Sequence, residues 1–118
     1  MRSRVLLVED DPDVRFIVEH VLVRAGYEVD ATGTAEDAAE LLQSRQYDLV
    51  IADDRLPDGN GTEIADAATE LGLGALVMTG YAFTMPTRVH ERYEILLKPL
   101  RPIEIVAAVE RALSSRRD

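Results

Sequence analysis

Four short apolar runs with no polar interruption recur along this chain: Val5-Leu6-Leu7-Val8, Leu49-Val50-Ile51, Ala75-Leu76-Val77-Met78 and Ile95-Leu96-Leu97. A strand covered on one face alternates apolar and polar residues, whereas an unbroken run belongs to a strand covered on both. Between the runs lie stretches with helical spacing. After the first run, Asp11-Pro12 is an N-cap and first-turn signal, Val14, Ile17, Val18, Val21, Leu22 and Ala25 mark one face, and Gly26 stops the helix. Thr34 with Asp37 reads as a capping box with Asp in the place of Glu, opening a helix through Ala38, Leu41 and Leu42. Pro57, Gly59 and Gly61 break the chain before a helix through Ile64, Ala65, Ala68 and Leu71. A last helix runs from Pro102 to Leu113 with Ile103, Val106, Val109 and Leu113 inward, and Ser114 to Asp118 is expected to fray.

Tyr27-Glu28-Val29-Asp30 alternates and reads as a fifth, edge strand. Between Tyr81 and Glu94 the pattern is poor, with Pro86 in the middle and only Val89 core-facing, so a short or irregular helix is expected. Five strands with intervening helices define an α/β fold, a doubly wound parallel sheet with helices on both faces. At 118 residues the expectation is one domain, residues 1–118.

Composition narrows the function. The chain has 13 Lys+Arg and 22 Asp+Glu, a net charge of −9, which disfavours contact with nucleic acid or anionic membranes. The absence of Cys removes disulfides, thiolate metal sites and a cysteine nucleophile. No apolar run approaches the roughly 20 residues needed to cross a bilayer, and no signal-peptide pattern opens the chain, so a cytoplasmic location is expected. His20 and His90 lack metal-ligand spacing and read as solvent-facing. Gly59-Asn60-Gly61 is a turn rather than a nucleotide loop, and Arg116-Arg117 is too weak a signal for a basic patch.

In sheets of this kind, ligands gather at the carboxyl ends of the strands. Glu9, Asp10 and Asp11 follow the first strand, and Asp53 and Asp54 follow the third; Thr79 and Lys98 end the last two. If the first and third strands are neighbours, Glu9, Asp10 and Asp53 converge, and a hard divalent cation such as Mg²⁺ would offset their repulsion. Solvated loop acids explain any one of these residues, but not the coincidence of acids, a hydroxyl and an ammonium at four strand ends. Such a set suits phosphoryl transfer to a carboxylate, with Asp53 attacking in line, Asp10 and Asp53 holding the cation, and Lys98 and Thr79 contacting phosphoryl oxygens.

The stretches Val5 to Asp11, Asp48 to Gly61, Met78-Thr79-Gly80-Tyr81 and Leu97-Lys98-Pro99-Leu100 closely resemble the receiver domain of two-component response regulators. The resemblance covers nearly the whole chain. It implies a flavodoxin-like fold with strand order 2-1-3-4-5. It also implies that Asp53 is the phosphoacceptor, Asp10 a direct Mg²⁺ ligand (Mn²⁺ as an alternative metal), Glu9 a ligand through water and the Arg55 backbone carbonyl a further ligand. Thr79 becomes the switch hydroxyl and Lys98 the phosphate-contacting lysine, with a cis Lys98-Pro99 bond. The implied partners are a sensor histidine kinase or histidine phosphotransfer protein and a downstream protein.

Two departures from the family pattern stand out. Ile95 occupies the position, three before the lysine, where the family often carries an aromatic switch residue; Tyr93 lies two residues earlier and reads as an edge or surface tyrosine. Thr79 to Lys98 spans 19 positions, about one helical turn short of the family's usual segment, so a truncated fourth helix is expected. This resembles a subgroup of stand-alone receivers, and dimerisation through the fourth-helix face is not expected, leaving a monomer or weak dimer. The resemblance implies that Arg55 and Tyr81 occupy the two positions flanking the phosphoryl group, and both being bulky, slowed hydrolysis of an aspartyl phosphate is expected. With the chain ending soon after the last helix, no attached output module is expected. The alternatives are a phosphatase with an aspartyl nucleophile, disfavoured because Arg55 stands where a second acid would be needed, and a degenerate receiver that only binds, disfavoured by Asp10, Asp53, Thr79 and Lys98.

Overall fold

The computed structural model describes residues 2–81, 83 and 85–116. Strands and helices alternate strictly: β1 (Arg4–Val8), α1 (Pro12–Arg24), β2 (Glu28–Thr32), α2 (Ala35–Ser44), β3 (Leu49–Asp53), α3 (Gly61–Glu70), β4 (Gly74–Thr79), α4 (Thr87–Arg92), β5 (Glu94–Leu97) and α5 (Pro102–Arg116). All strand pairings are parallel and the order is 2-1-3-4-5. This is the doubly wound sheet expected from the pattern, with the flavodoxin-like order implied by the family resemblance, and the step from β1 to β3 is the point where the winding reverses.

The unbroken runs are buried because each face of the sheet meets a helix layer. Val5, Leu7, Leu49, Ile51, Leu76 and Met78 pack with Val18, Leu22, Ile105 and Val109 of α1 and α5. Leu6, Val8, Val50 and Ala52 face the other way, against Ala38, Ile64 and Ala68 of α2 and α3. A smaller cluster of Ala65, Val77, Val89 and Tyr93 sits under α4.

Local signals account for most boundaries. Asp11 caps α1 by accepting from the Asp13 and Val14 amides, and Gly26 takes a left-handed φ of 102° past its end. The Thr34 hydroxyl caps α2 through the Asp37 amide. The reciprocal arm expected of Asp37 is directed elsewhere, because its carboxylate accepts from the Thr32 hydroxyl at 3.3 Å. The remaining α2 donors are met from across the loop, where the Asp58 carboxylate accepts from Ala35 and Glu36 at 2.7 and 2.9 Å.

Several expectations are corrected. The second strand begins at Glu28 rather than Tyr27. It is an edge strand as expected, and β5 is the other edge, where Leu97 is exposed although its apolar run suggested a covered strand. Val109 and Leu113 of α5 face inward as read, but Ile103 is 76% exposed, with Ile105 buried in its place, and Ile17 of α1 is likewise exposed. Ser114 and Ser115 continue α5 rather than fraying, and residues 117 and 118 lie outside the described residues, as does half of the Arg116-Arg117 pair. The fourth helix is truncated as expected, six residues long with Val89 buried, although residues 82 and 84 of the preceding loop lie outside the described set. Among the described residues, no helix is long and apolar enough to cross a membrane.

Candidate functional site

Every residue singled out at the strand ends lies at the carboxyl edge of the sheet, held there by backbone bonds that extend the ladders past the strands. The Glu9 amide donates to the Thr32 carbonyl at 2.9 Å, the Asp54 amide to Met78 at 2.8 Å, and the Lys98 amide to Thr79 at 2.8 Å. Ala52 of β3 pairs with Val8 of β1, so the residues that follow each strand emerge side by side. As a result, carboxylate oxygens of Glu9, Asp10 and Asp53 lie within 4.8 Å of one another, with Glu9 and Asp53 buried and Asp10 exposed.

Lys98 closes the fourth side. Its Nζ donates to Glu9 Oε1 at 2.7 Å and lies 3.2 Å from Asp53 Oδ1. Burial works against the ammonium, but the Glu9 hydrogen bond and the Asp53 charge outweigh it and hold Lys98 above its ordinary range. Burial first, and the Glu9 charge second, push the Asp53 carboxyl up to about 6, against the pull of Lys98. The second Glu9 oxygen accepts from the Asp11 amide at 3.0 Å. The oxygens of Asp10 and Asp53 are therefore the ones best placed for a cation, with Glu9 engaged through Lys98 and the loop.

Thr79 is fully buried, one residue past Met78, the β4 partner of Asp53. Its Oγ1 accepts from the Tyr81 amide at 2.9 Å, which turns the chain sharply after β4. The Arg55 guanidinium lies 4.1 Å above the Tyr81 ring, so the two residues expected to flank the site meet each other. The Lys98-Pro99 bond is cis. His20 is exposed and stacks on Phe16, as a solvent-facing histidine would.

Two features were not read from the sequence. In the sequence Gly61 is only a turn residue, yet a Cβ there would stand 2.1 Å from the Asp53 carbonyl oxygen, so any side chain would drive α3 away from β3. Tyr93 is buried rather than on the surface: its hydroxyl donates to Asp66 of α3 and lies near Thr69, while Arg92 pairs with Asp66 at 3.1 Å. The turn composition around Gly61 and the helical spacing from Val89 to Tyr93 were the available signals; neither reveals which neighbour comes close.

The donor set fits a hard divalent cation: three carboxylates, no soft ligand, two of the three buried, and a single lysine to share their charge. Fold and site together define an α/β domain with an acidic cluster, bridged by a lysine, at its topological switch point. A family model for the response regulator receiver domain matches residues 5–110, and the chain belongs to that family. It is 31% identical over 116 residues to the response regulator receiver protein CpdR of Brucella abortus, covering 94% of this chain and 97% of that one. It is 37% identical over 108 residues to the two-component response regulator ARR11 of Arabidopsis thaliana, where it spans 21% of that protein's length. A CheY-like receiver domain protein from Methanospirillum hungatei JF-1 superposes with a TM-score of 0.89 at 25% identity, over 99% of this chain and 98% of that one. The response regulator TrrA of Thermotoga maritima, crystallised with Mg²⁺-BeF, gives a TM-score of 0.84 at 28% identity, over 96% and 100%.

Proposed function

We propose that residues 1–118 form one receiver domain that takes a phosphoryl group from a phosphohistidine of a sensor kinase or phosphotransfer protein onto Asp53. The observation that carries this reading is the convergence of Glu9, Asp10 and Asp53 within 4.8 Å, with Lys98 against two of them. Asp10 and Asp53 would hold Mg²⁺ directly, with Glu9 through water and the Arg55 carbonyl as a further ligand; Mn²⁺ has the same ligand preference. When bound, the cation supplies charge against the phosphoryl oxygens. The capture of a 28%-identical relative with Mg²⁺-BeF supports that assignment.

In the transfer, an Asp53 oxygen forms the new bond to phosphorus as the phosphorus–nitrogen bond of the donor breaks, and the departing imidazole leaves neutral after taking a proton. Lys98 is already within reach of Asp53 and would follow the phosphoryl group as a compact cation. Thr79 would donate its hydroxyl hydrogen to a phosphoryl oxygen while keeping the Tyr81 amide. No general base is required, since the attacking carboxylate is an anion. Signalling then proceeds through protein contact, in the cytoplasm and by a monomer or weak dimer, without nucleic acid or membrane at this acidic surface.

The test is mass spectrometry after incubation with acetyl phosphate and Mg²⁺. One phosphoryl group is expected on the wild type and none on Asp53→Asn. Continuous turnover of a phosphate ester would point instead to a phosphatase, and an unmodified wild type would leave a binding module.

A further inference from the structure

Arg15 occupies the first turn of α1, in a stretch that also carries Glu9, Asp10, Asp11 and Asp13. A guanidinium among four carboxylates is expected to neutralise one of them. Here Nη1 instead donates to the backbone carbonyl oxygen of Glu9 at 2.8 Å, and among the described residues Arg15 enters no ion pair. That difference matters for a cation pocket. An arginine paired with Asp10 would consume charge that the cation needs; on a neutral carbonyl, it leaves the carboxylates available.

The Glu9 peptide is thereby held on both sides. Its amide donates to Thr32 at 2.9 Å, and its carbonyl accepts from Arg15. Asp10 follows directly, beyond the end of β1, and is the exposed member of the acid cluster. With the preceding peptide fixed, the direction of the Asp10 side chain is restricted before any ligand arrives.

The space for Arg15 comes from Gly33, after β2. A Cβ at Gly33 would stand 2.8 Å from Arg15 Nη1 but 3.7 Å from both the Asp10 Cα and the Glu9 carbonyl oxygen. A methyl group there would displace the guanidinium and make only ordinary contact with the loop itself. Gly33 does not have a left-handed φ, so alanine is compatible with its backbone.

We propose that Arg15 is a positioning residue for the cation-binding carboxylates, and that Gly33 lacks a side chain so that Arg15 can reach the Glu9 carbonyl. This rests on the reading of the pocket as a divalent-cation site. It makes a prediction opposite in sign to simple electrostatics: removing a positive charge beside the pocket would tighten Mg²⁺ binding, whereas loss of positioning weakens it.

The experiment is calorimetric titration of the whole chain with Mg²⁺ alone, without phosphodonor. The Arg15→Gln and Gly33→Ala variants are each expected to raise the Mg²⁺ Kd by roughly 3- to 10-fold, although only the first removes charge. The double variant is expected to bind no more weakly than Arg15→Gln, since both changes remove one contact. Arg15→Lys recovers part of the loss, and the Tm of Gly33→Ala stays at the wild-type value, separating positioning from folding. Unchanged or tighter binding by Arg15→Gln, unchanged binding by Gly33→Ala, or losses that multiply in the double variant would overturn the proposal. Absence of Mg²⁺ uptake by the wild type would instead overturn the reading of the pocket.

Discussion

Asp53 stands where opposing influences meet, since burial and Glu9 disfavour its anion while Lys98 favours it. The net effect is a carboxyl that, without metal, titrates near 6 when folded against 3.8 as its ordinary value. Between those two values the folded state holds a proton that the unfolded state has released, so stability falls as pH rises through the interval and is level above it. Asp53→Asn removes this term. The metal-free variant is expected to exceed the wild type by about 1–2 kcal/mol at pH 8, after allowance for solvent at the pocket mouth, and by little at pH 4. Urea unfolding in chelator at both values measures it, and a difference independent of pH would assign the gain to another cause. Arg55 poses a different question at the same scale. It stacks on Tyr81, and on the proposed reading the two side chains flank the aspartyl phosphate where an attacking water would approach. We expect Arg55→Asn to shorten the lifetime of the phosphorylated protein several-fold, measured as decay after removal of acetyl phosphate; an equal or longer lifetime would relieve this pair of that role.

At the scale of elements, α4 is the one least able to stand alone. Six residues lie well below the length at which a helix persists in water, and Pro86, its N-cap, makes no side-chain capping bond. What holds it is Val89 in the small cluster beneath it and the Tyr93–Asp66–Arg92 group that ties its C-terminus to α3. Burial first, and then the Asp66 hydrogen bond, keep the Tyr93 phenol above its ordinary value, so it remains a donor at neutral pH. Tyr93→Phe keeps the ring but removes that donor. The expected cost is about 1 kcal/mol, expressed locally: amides of 87–92 should exchange faster while those of α1 do not change. Uniform acceleration across the chain would instead mark Tyr93 as an ordinary core residue. The sequence displays why this tie was hidden. Periodicity shows that Val89 faces inward, but Tyr93 falls at an element junction, where its partner is set by how α3 and α4 approach each other. Gly61 was hidden for the same reason, since its close approach to the Asp53 carbonyl exists only once β3 and α3 are joined. By contrast, the buried strands and the caps Asp11 and Thr34 were legible because their causes lie within a few residues.

For the molecule as a whole, the pattern of runs shows a parallel doubly wound sheet but not its strand order, which came from the family resemblance, and the exposure of β5 is not visible in Ile95-Leu96-Leu97, whose composition differs little from the central strands. Its position at the edge is a property of the assembled sheet. Charge is likewise collective. A net −9 is distributed over the chain, yet the only group of three acids among the described residues able to share one ion is Glu9, Asp10 and Asp53. Binding a cation there draws on both local repulsion and the surrounding field, and it competes with the proton on Asp53. Mg²⁺ should therefore raise the Tm: about 2.7 kcal/mol of added stability at a concentration of 100 Kd corresponds to roughly ten degrees for a chain of this size. The rise should be smaller at pH 5, where Asp53 is protonated when metal-free, than at pH 7.5, where it is ionised. Asp10→Asn, which removes one acid from the cluster but leaves Lys98 and Glu9 paired, should lose most of the rise at either pH. Thermal scans in chelator and in excess Mg²⁺ decide the matter: an equal rise in Asp10→Asn and wild type would mean that the ion acts on the diffuse negative charge and not on the pocket.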